Sequence, residues 1–140
     1  MQVVIDSNIF ISALDPHDQF SQECLPVFNR ILEQQIYALC PAYVLVETAC
    51  VLRRRTSSPK FARDVYRNLL RLAAITWLPF TLELAERACE LGIQTGLKGG
   101  DAIVLQVAED SHLPLLTRDR EIHDKAPRAI RILEPRQLLL

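Results

Sequence analysis

The sequence predicts an α/β fold, a three-layer α/β/α sandwich around a central, mainly parallel sheet of about five strands. Two observations lead there. Short runs of β-branched residues and leucine recur along the chain and read as fully apolar, the pattern of strands covered on both faces. Longer segments with helical periodicity separate them, and each parallel return requires such a crossover.

Taken in order, Gln2 to Ile5 is the first strand, ending at Asp6-Ser7-Asn8, whose side chains suit a turn or a helix start. Phe20 to Glu33 spaces Cys24, Val27, Phe28, Ile31 and Leu32 as a helix, with Pro26 marking a start or a kink. Ile36 to Cys40 is the second strand. Pro41 opens a helix through about Arg55, and Ser58-Pro59 repeats that start signal for a helix through Leu72. Ile75 to Leu78 is the third strand, and Thr81 to Gly96 is an amphipathic helix closed by glycine. Gly99 and Gly100 place flexibility just before Asp101 and a helix from Ala102 to Asp110. Leu113 to Leu116 is the fourth strand. A short polar turn follows Thr117-Arg118-Asp119, then a last strand around Ile130 to Leu133 and a tail ending in Leu138-Leu139-Leu140.

The 140 residues, 49% of them hydrophobic, are enough for one packed core, so residues 1–140 read as a single domain. No apolar run approaches the roughly 20 residues of a membrane helix. The opening Met-Gln-Val-Val-Ile-Asp carries no basic lead, so a cytoplasmic protein with no membrane partner is expected. Cys24, Cys40, Cys50 and Cys89 lie in apolar stretches without a Cys-x-x-Cys pair and read as reduced core residues. The net charge of −1 conceals a basic stretch from Arg53 to Arg71, in which Asp64 is the lone acid. Arg63, Arg67 and Arg71 in it are candidates for contacts to RNA phosphates, against the plainer reading of a solvated helix face.

Four acids carry the chemistry. Glu47 is the one charge within Ala42 to Leu52, an otherwise apolar helical segment, and an ionised carboxylate there requires a cation, a metal or a proton. A salt bridge to Arg53 or Arg54 is its ordinary explanation. Asp6 and Asp119 stand just past predicted strands, at the sheet edge where α/β folds bind ligands. Asp101 sits in the first turn of a helix, where a negative charge also complements the dipole. Taken singly, Asp6 reads as a helix cap and Asp119 as a solvated turn residue. Together the four can converge, and close carboxylates are tenable when a hard divalent cation such as Mg2+ or Mn2+ neutralises them. One or two such ions would suit phosphodiester hydrolysis by an activated water.

The motifs around these acids resemble the PIN-domain ribonucleases, especially the single-domain VapC-like toxins of toxin–antitoxin pairs. Val-Val-Ile-Asp6-Ser7-Asn8 is similar to the first acidic motif and Val46-Glu47 to the second. Gly100-Asp101-Ala102-Ile103 is similar to the third, and Leu116-Thr117-Arg118-Asp119-Arg120 to the last. The resemblance spans essentially the whole chain. It implies a PIN-like fold in which Asp6, Glu47, Asp101 and Asp119 are catalytic and hold metal, with Asn8 and Thr117 as polar supports and Ser7 at a small-hydroxyl position. It further implies a metal-dependent endoribonuclease cutting single-stranded RNA, forming a homodimer and silenced by a small antitoxin. The C-terminal leucines and Asn68 to Leu72 add support for dimerisation. One departure is Arg120-Glu121-Ile122, which lacks an aromatic that relatives often place nearby.

His17, His112 and His123 share no spacing, so a histidine base is unsupported, and Thr117 reads as an orienting hydroxyl rather than a nucleophile. Glu121 and Asp124 read as solvated. Two other functions compete. One is a non-catalytic module binding nucleic acid or protein through the arginine face, and the other a nuclease of RNA processing that is no toxin. Aspartyl-phosphate phosphatases also begin with an acid after the first strand, but they use Asp-x-Asp where this chain has Asp6-Ser7-Asn8.

Overall fold

The computed structural model describes residues 1–139, and Leu140 of the expected tail lies outside them. Five strands form one sheet, β1 (Gln2–Ile5), β2 (Tyr37–Pro41), β3 (Ile75–Leu78), β4 (Leu115–Leu116) and β5 (Ile132–Leu133), in the order β3-β2-β1-β4-β5. Every pairing is parallel, with Val4 opposite Leu39 on one side and Leu115 on the other. The expected sandwich with a parallel sheet is therefore observed. From β1 the chain winds outward to β2 and β3, then returns to build β4 and β5 on the opposite flank. The crossovers thus diverge between β1 and β4, the switch point beyond whose carboxyl ends α/β sheets bind ligands.

The helices are α1 (Ser7–Leu14), α2 (Ser21–Leu32), α3 (Ala42–Thr56), α4 (Pro59–Arg71), α5 (Leu82–Thr95), α6 (Gly99–Ser111) and α7 (Arg120–Lys125), with a 3-10 turn at Pro135–Leu138. Their ends follow local chemistry. The Ser58 and Thr81 hydroxyls accept from the amides of Phe61 and Leu84, both at 3.1 Å, capping α4 and α5. Gly96 ends α5 in the left-handed region at φ 74°, where a side chain would be strained. Pro26 lies inside α2, which continues to Leu32. Lacking an N–H, it leaves the Gln22 carbonyl without its usual helical donor.

The main core is built from Val3, Val4 and Ile5 of β1, Ile9 and Phe10 of α1, Leu52 of α3, Leu69 of α4 and Val104 and Leu105 of α6, and a smaller cluster joins Ala88 of α5 to Ala102 and Ile103 of α6. Phe10 and Phe28 pack edge to face across α1 and α2, their ring planes at 87° and their centroids 6.2 Å apart. Among the described residues no helix is long and apolar enough to cross a membrane.

Several expectations are corrected. The polar turn after Asp119 is α7, while Asp6-Ser7-Asn8 opens a helix, one of its two expected readings. Helix α6 begins at Gly99, so both glycines belong to its first turn rather than to a flexible hinge. Strands β4 and β5 are two residues each, shorter than expected. Cys24 and Cys40 are buried free thiols as expected, whereas Cys50 and Cys89 are exposed. Helix α3 is not buried all round either, because Val46 is 60% exposed.

Leu105 has no exposed surface. Leu105→Ala is expected to lower unfolding free energy by about 2–5 kcal/mol in a urea titration, the range for deleting a fully buried leucine side chain.

Candidate metal centre

Asp6 is set by the end of β1. Its backbone amide still donates to Leu116 O of β4 at 3.0 Å, so the sheet fixes the residue before its side chain makes a bond. The side chain caps α1 and is buried, and its two oxygens face different partners. Oδ1 accepts from the Ser7 amide at 2.7 Å, while Oδ2 accepts from the Thr117 hydroxyl at 2.8 Å and from Asn8 Nδ2 at 3.3 Å. Asn8 also donates to Thr117 Oγ1 at 3.0 Å and accepts the Arg118 amide at 3.2 Å. Thr117, fully buried at the end of β4, accepts the Asp119 amide at 3.1 Å. Ser7, Asn8 and Thr117 therefore lock the loop after β4 to the start of α1 and orient Asp6.

Glu47 enters from α3, one turn beyond Tyr43. The Ser7 hydroxyl donates to its Oε1 and also faces Asp6 Oδ1 at 3.4 Å, so Ser7 bridges the first two acids. The Tyr43 hydroxyl donates to Oε2 at 2.8 Å. No arginine bonds Glu47 among the described residues, so the ordinary salt-bridge explanation does not apply to it.

Asp101 and Asp119 stand at helix starts. Asp119 caps α7, its Oδ1 accepting from the amides of Glu121 at 2.8 Å and Ile122 at 3.3 Å. Asp101 lies in the first turn of α6, and its Oδ2 is a buried oxygen with no hydrogen-bond partner. Asp101, Asp119 and Glu121 each offer a carboxylate oxygen, all within 4.8 Å of one another. Glu121 thus joins Asp101 and Asp119 in one group while its side chain stays partly exposed and paired with Lys125 at 2.7 Å. Its spacing from Asp119 concealed it, because residues two apart do not share a helix face. A helix cap is not yet helical, however, and its side chain turns back over the first turn. The clue in the sequence is an acid in the first turn after a capping aspartate.

Burial and crowding appear in the acidity of two groups. The Asp6 carboxyl is pushed up to about 7, chiefly by burial, with Asp101 and Glu47 adding repulsion that the Thr117 and Ser7 hydrogen bonds only partly offset. Asp101 is pushed up to about 6 by burial and then by the charges of Asp119 and Glu121. A divalent cation fits this donor set. All donors are hard oxygens, their mutual repulsion is what a cation relieves, and the orphaned Asp101 oxygen lacks the partner an ion would be.

The arginines of α4 do not join the acids. Arg63, Arg67 and Arg71 lie exposed along one face of that helix, and Arg71 sits just before β3, toward the sheet edge opposite Asp6. Arg118 is one of the two arginines that flank Asp119 in sequence. It turns away, donating to Ser12 Oγ at 2.7 Å with its guanidinium 3.7 Å over the Phe20 ring.

A parallel α/β/α sheet with acids gathered beyond its switch point has the layout of α/β proteins that bind ligands at that edge. Comparison with known families makes this specific: residues 3–127 match the PIN domain, and the chain belongs to that family. Among solved structures it is similar to the Mycobacterium tuberculosis toxin VapC20, described as cleaving the sarcin–ricin loop, with a TM-score of 0.75 and 17% identity over 92% of this chain and 98% of that one. It is also similar to the DNA-bound VapBC of Salmonella typhimurium, with a TM-score of 0.70 and 16% identity over 96% and 98%. A toxin–antitoxin complex from Klebsiella pneumoniae gives a TM-score of 0.63 and 20% identity over 95% and 97%. No curated protein matches the chain by sequence.

The raised acids set a pH dependence. A carboxyl whose folded pKa exceeds its unfolded value binds more protons when folded, so metal-free stability falls as pH rises from about 4 through 7. Asp101→Asn is expected to flatten that decline mainly between about pH 4 and 6 and to raise the metal-free melting temperature at neutral pH and above. A melting temperature lowered by the substitution at every pH would assign Asp101 to a stabilising contact instead.

Proposed function

We propose that this protein is a metal-dependent endoribonuclease that hydrolyses phosphodiester bonds of single-stranded RNA and serves as the toxin of a toxin–antitoxin pair. The observation that carries the reading is the approach of the Asp101, Asp119 and Glu121 carboxylates to within 4.8 Å of one another, with the charge of Glu47 felt by both Asp6 and Asp101 and a buried Asp101 oxygen that no protein group satisfies. PIN-family membership supports nuclease chemistry, and the similarity to VapC-type structures supports the toxin role.

In this reading Asp6, Glu47, Asp101 and Asp119 hold Mg2+ or Mn2+, and Glu121 adds a fifth carboxylate. A bound ion would supply an activated water and stabilise charge building on the phosphate. The chain's own groups do the positioning. Thr117 and Asn8 keep one Asp6 oxygen oriented through hydrogen bonds, and Ser7 holds Asp6 and Glu47 at a fixed separation. Lys125, 2.7 Å from Glu121, anchors that carboxylate from outside. No histidine enters the acid cluster; His123 faces the Thr117 carbonyl at 3.3 Å.

A homodimer and a small antitoxin are the proposed protein partners. Val46 on α3 and Leu82 and Ile93 on α5 are 60%, 77% and 76% exposed, apolar surface that a second chain would cover. Light scattering is expected to give twice the mass of one chain, and Val46→Glu to shift it toward the monomer. A wild-type monomer at all concentrations contradicts the dimer.

Cleavage of a single-stranded RNA is expected with Mg2+ or Mn2+ and to stop on chelation. Asp6→Asn, which exchanges a carboxylate for a neutral amide, is expected to remove at least 100-fold of the rate, on the order of losses from disrupted metal sites. Undiminished cleavage in excess chelator would end the metal reading.

A further inference from the structure

Tyr43 is the aromatic residue that the acidic motifs leave unexplained. It lies one helical turn before Glu47 on α3, partly buried, and its hydroxyl donates to Glu47 Oε2 at 2.8 Å. The opposite oxygen, Oε1, accepts from Ser7, so the carboxylate is gripped from both sides. Of the pair, the phenol is the donor and the carboxylate the acceptor.

The ring has a second neighbour. A Cβ placed on Gly100 would lie 2.5 Å from the Tyr43 hydroxyl and 2.9 Å from two ring carbons. Gly100 has an ordinary helical φ, so backbone conformation does not demand glycine there. The demand comes from the ring, which occupies the space a side chain would fill. Gly100 also immediately precedes Asp101. The ring thus rests on the first turn of the helix that carries one acid while its hydroxyl holds another.

We infer that Tyr43 is a positioning residue that sets Glu47 against Asp101, and that Gly100 is glycine to admit it. The inference rests on the metal-centre reading above and assigns Tyr43 no contact with the reacting atoms. Its hydroxyl orients a carboxylate from behind and leaves that carboxylate's remaining lone pairs free to face an ion. Partners of this kind govern how tightly a site holds its ion.

The test is Mn2+ affinity by isothermal titration calorimetry, without RNA. Wild type, Tyr43→Phe, Gly100→Ala and the double variant are compared, with thermal melts to establish that each is folded. Tyr43→Phe keeps the ring and removes only the hydroxyl, and is expected to weaken Mn2+ binding by on the order of tenfold. Gly100→Ala is expected to weaken it similarly by displacing the same hydroxyl, and the double variant to be no weaker than either single one. Wild-type affinity in Tyr43→Phe, or losses that multiply in the double variant, would overturn the positioning role and leave the metal centre standing. Failure of the wild type to bind Mn2+ would instead overturn the metal centre, and this inference with it.

Discussion

The structure depends on the cost of placing a carboxylate at the buried end of a central strand. Asp6 follows three fully buried residues of β1 and inherits their seclusion from water. Charge there is costly unless hydrogen bonds or a cation compensate it. The protein supplies hydrogen bonds from Ser7, Asn8 and Thr117, yet the carboxyl still titrates near neutrality, at about 7, so the compensation is incomplete. Much of the local architecture follows from this shortfall. The loop after β4 is tied to α1 by the same groups that satisfy Asp6, and the neighbouring acids add repulsion rather than relief.

That arrangement resists the simplest route to stability. A sheet edge closed by apolar residues would be more stable without metal, and the surrounding core shows that the chain has the means to build one. Val104 and Leu105 on α6 and Ile122 on α7 pack fully buried within a few residues of Asp101 and Asp119. The helices are held by their apolar sides, while their first turns bring like charges together. Rigid packing keeps the acids close where mutual repulsion alone would part them.

Much of this was legible in the sequence because the strands are short and apolar and because β1 and β4 run into Asp6 and Thr117, polar residues that break the apolar runs. Asp6 and Asp119 could be assigned to the same edge from chain order alone, since parallel strands share a direction. The similarity of four motifs to the PIN family then named the acids together. What was hidden has physical causes. Helix α1 is buried nearly all round, with Ile9, Phe10 and Ile11 side by side, so no amphipathic period announces it. Helix α7 buries only Ile122, too little for a pattern, and its brevity concealed Glu121 as well. The exposure of Val46 was invisible because composition does not distinguish an apolar helix sealed in a core from one with an uncovered side. Tyr43 lay inside that same apolar run, where an aromatic residue reads as packing.

The cap that Asp119 forms on α7 bears on how such a protein ages when its chemistry is no longer selected. One carboxylate oxygen there holds two backbone amides of a helix whose Ile122 seals the core, so the residue has an architectural duty apart from any ion. Asp101 has no such duty, since its buried oxygen bonds nothing in the protein. A silent descendant of this chain would have reason to keep Asp119 and none to keep Asp101. Under the proposed metal reading, the residue after Gly100, more than an acid after β4, is the mark by which a working copy differs from a relic.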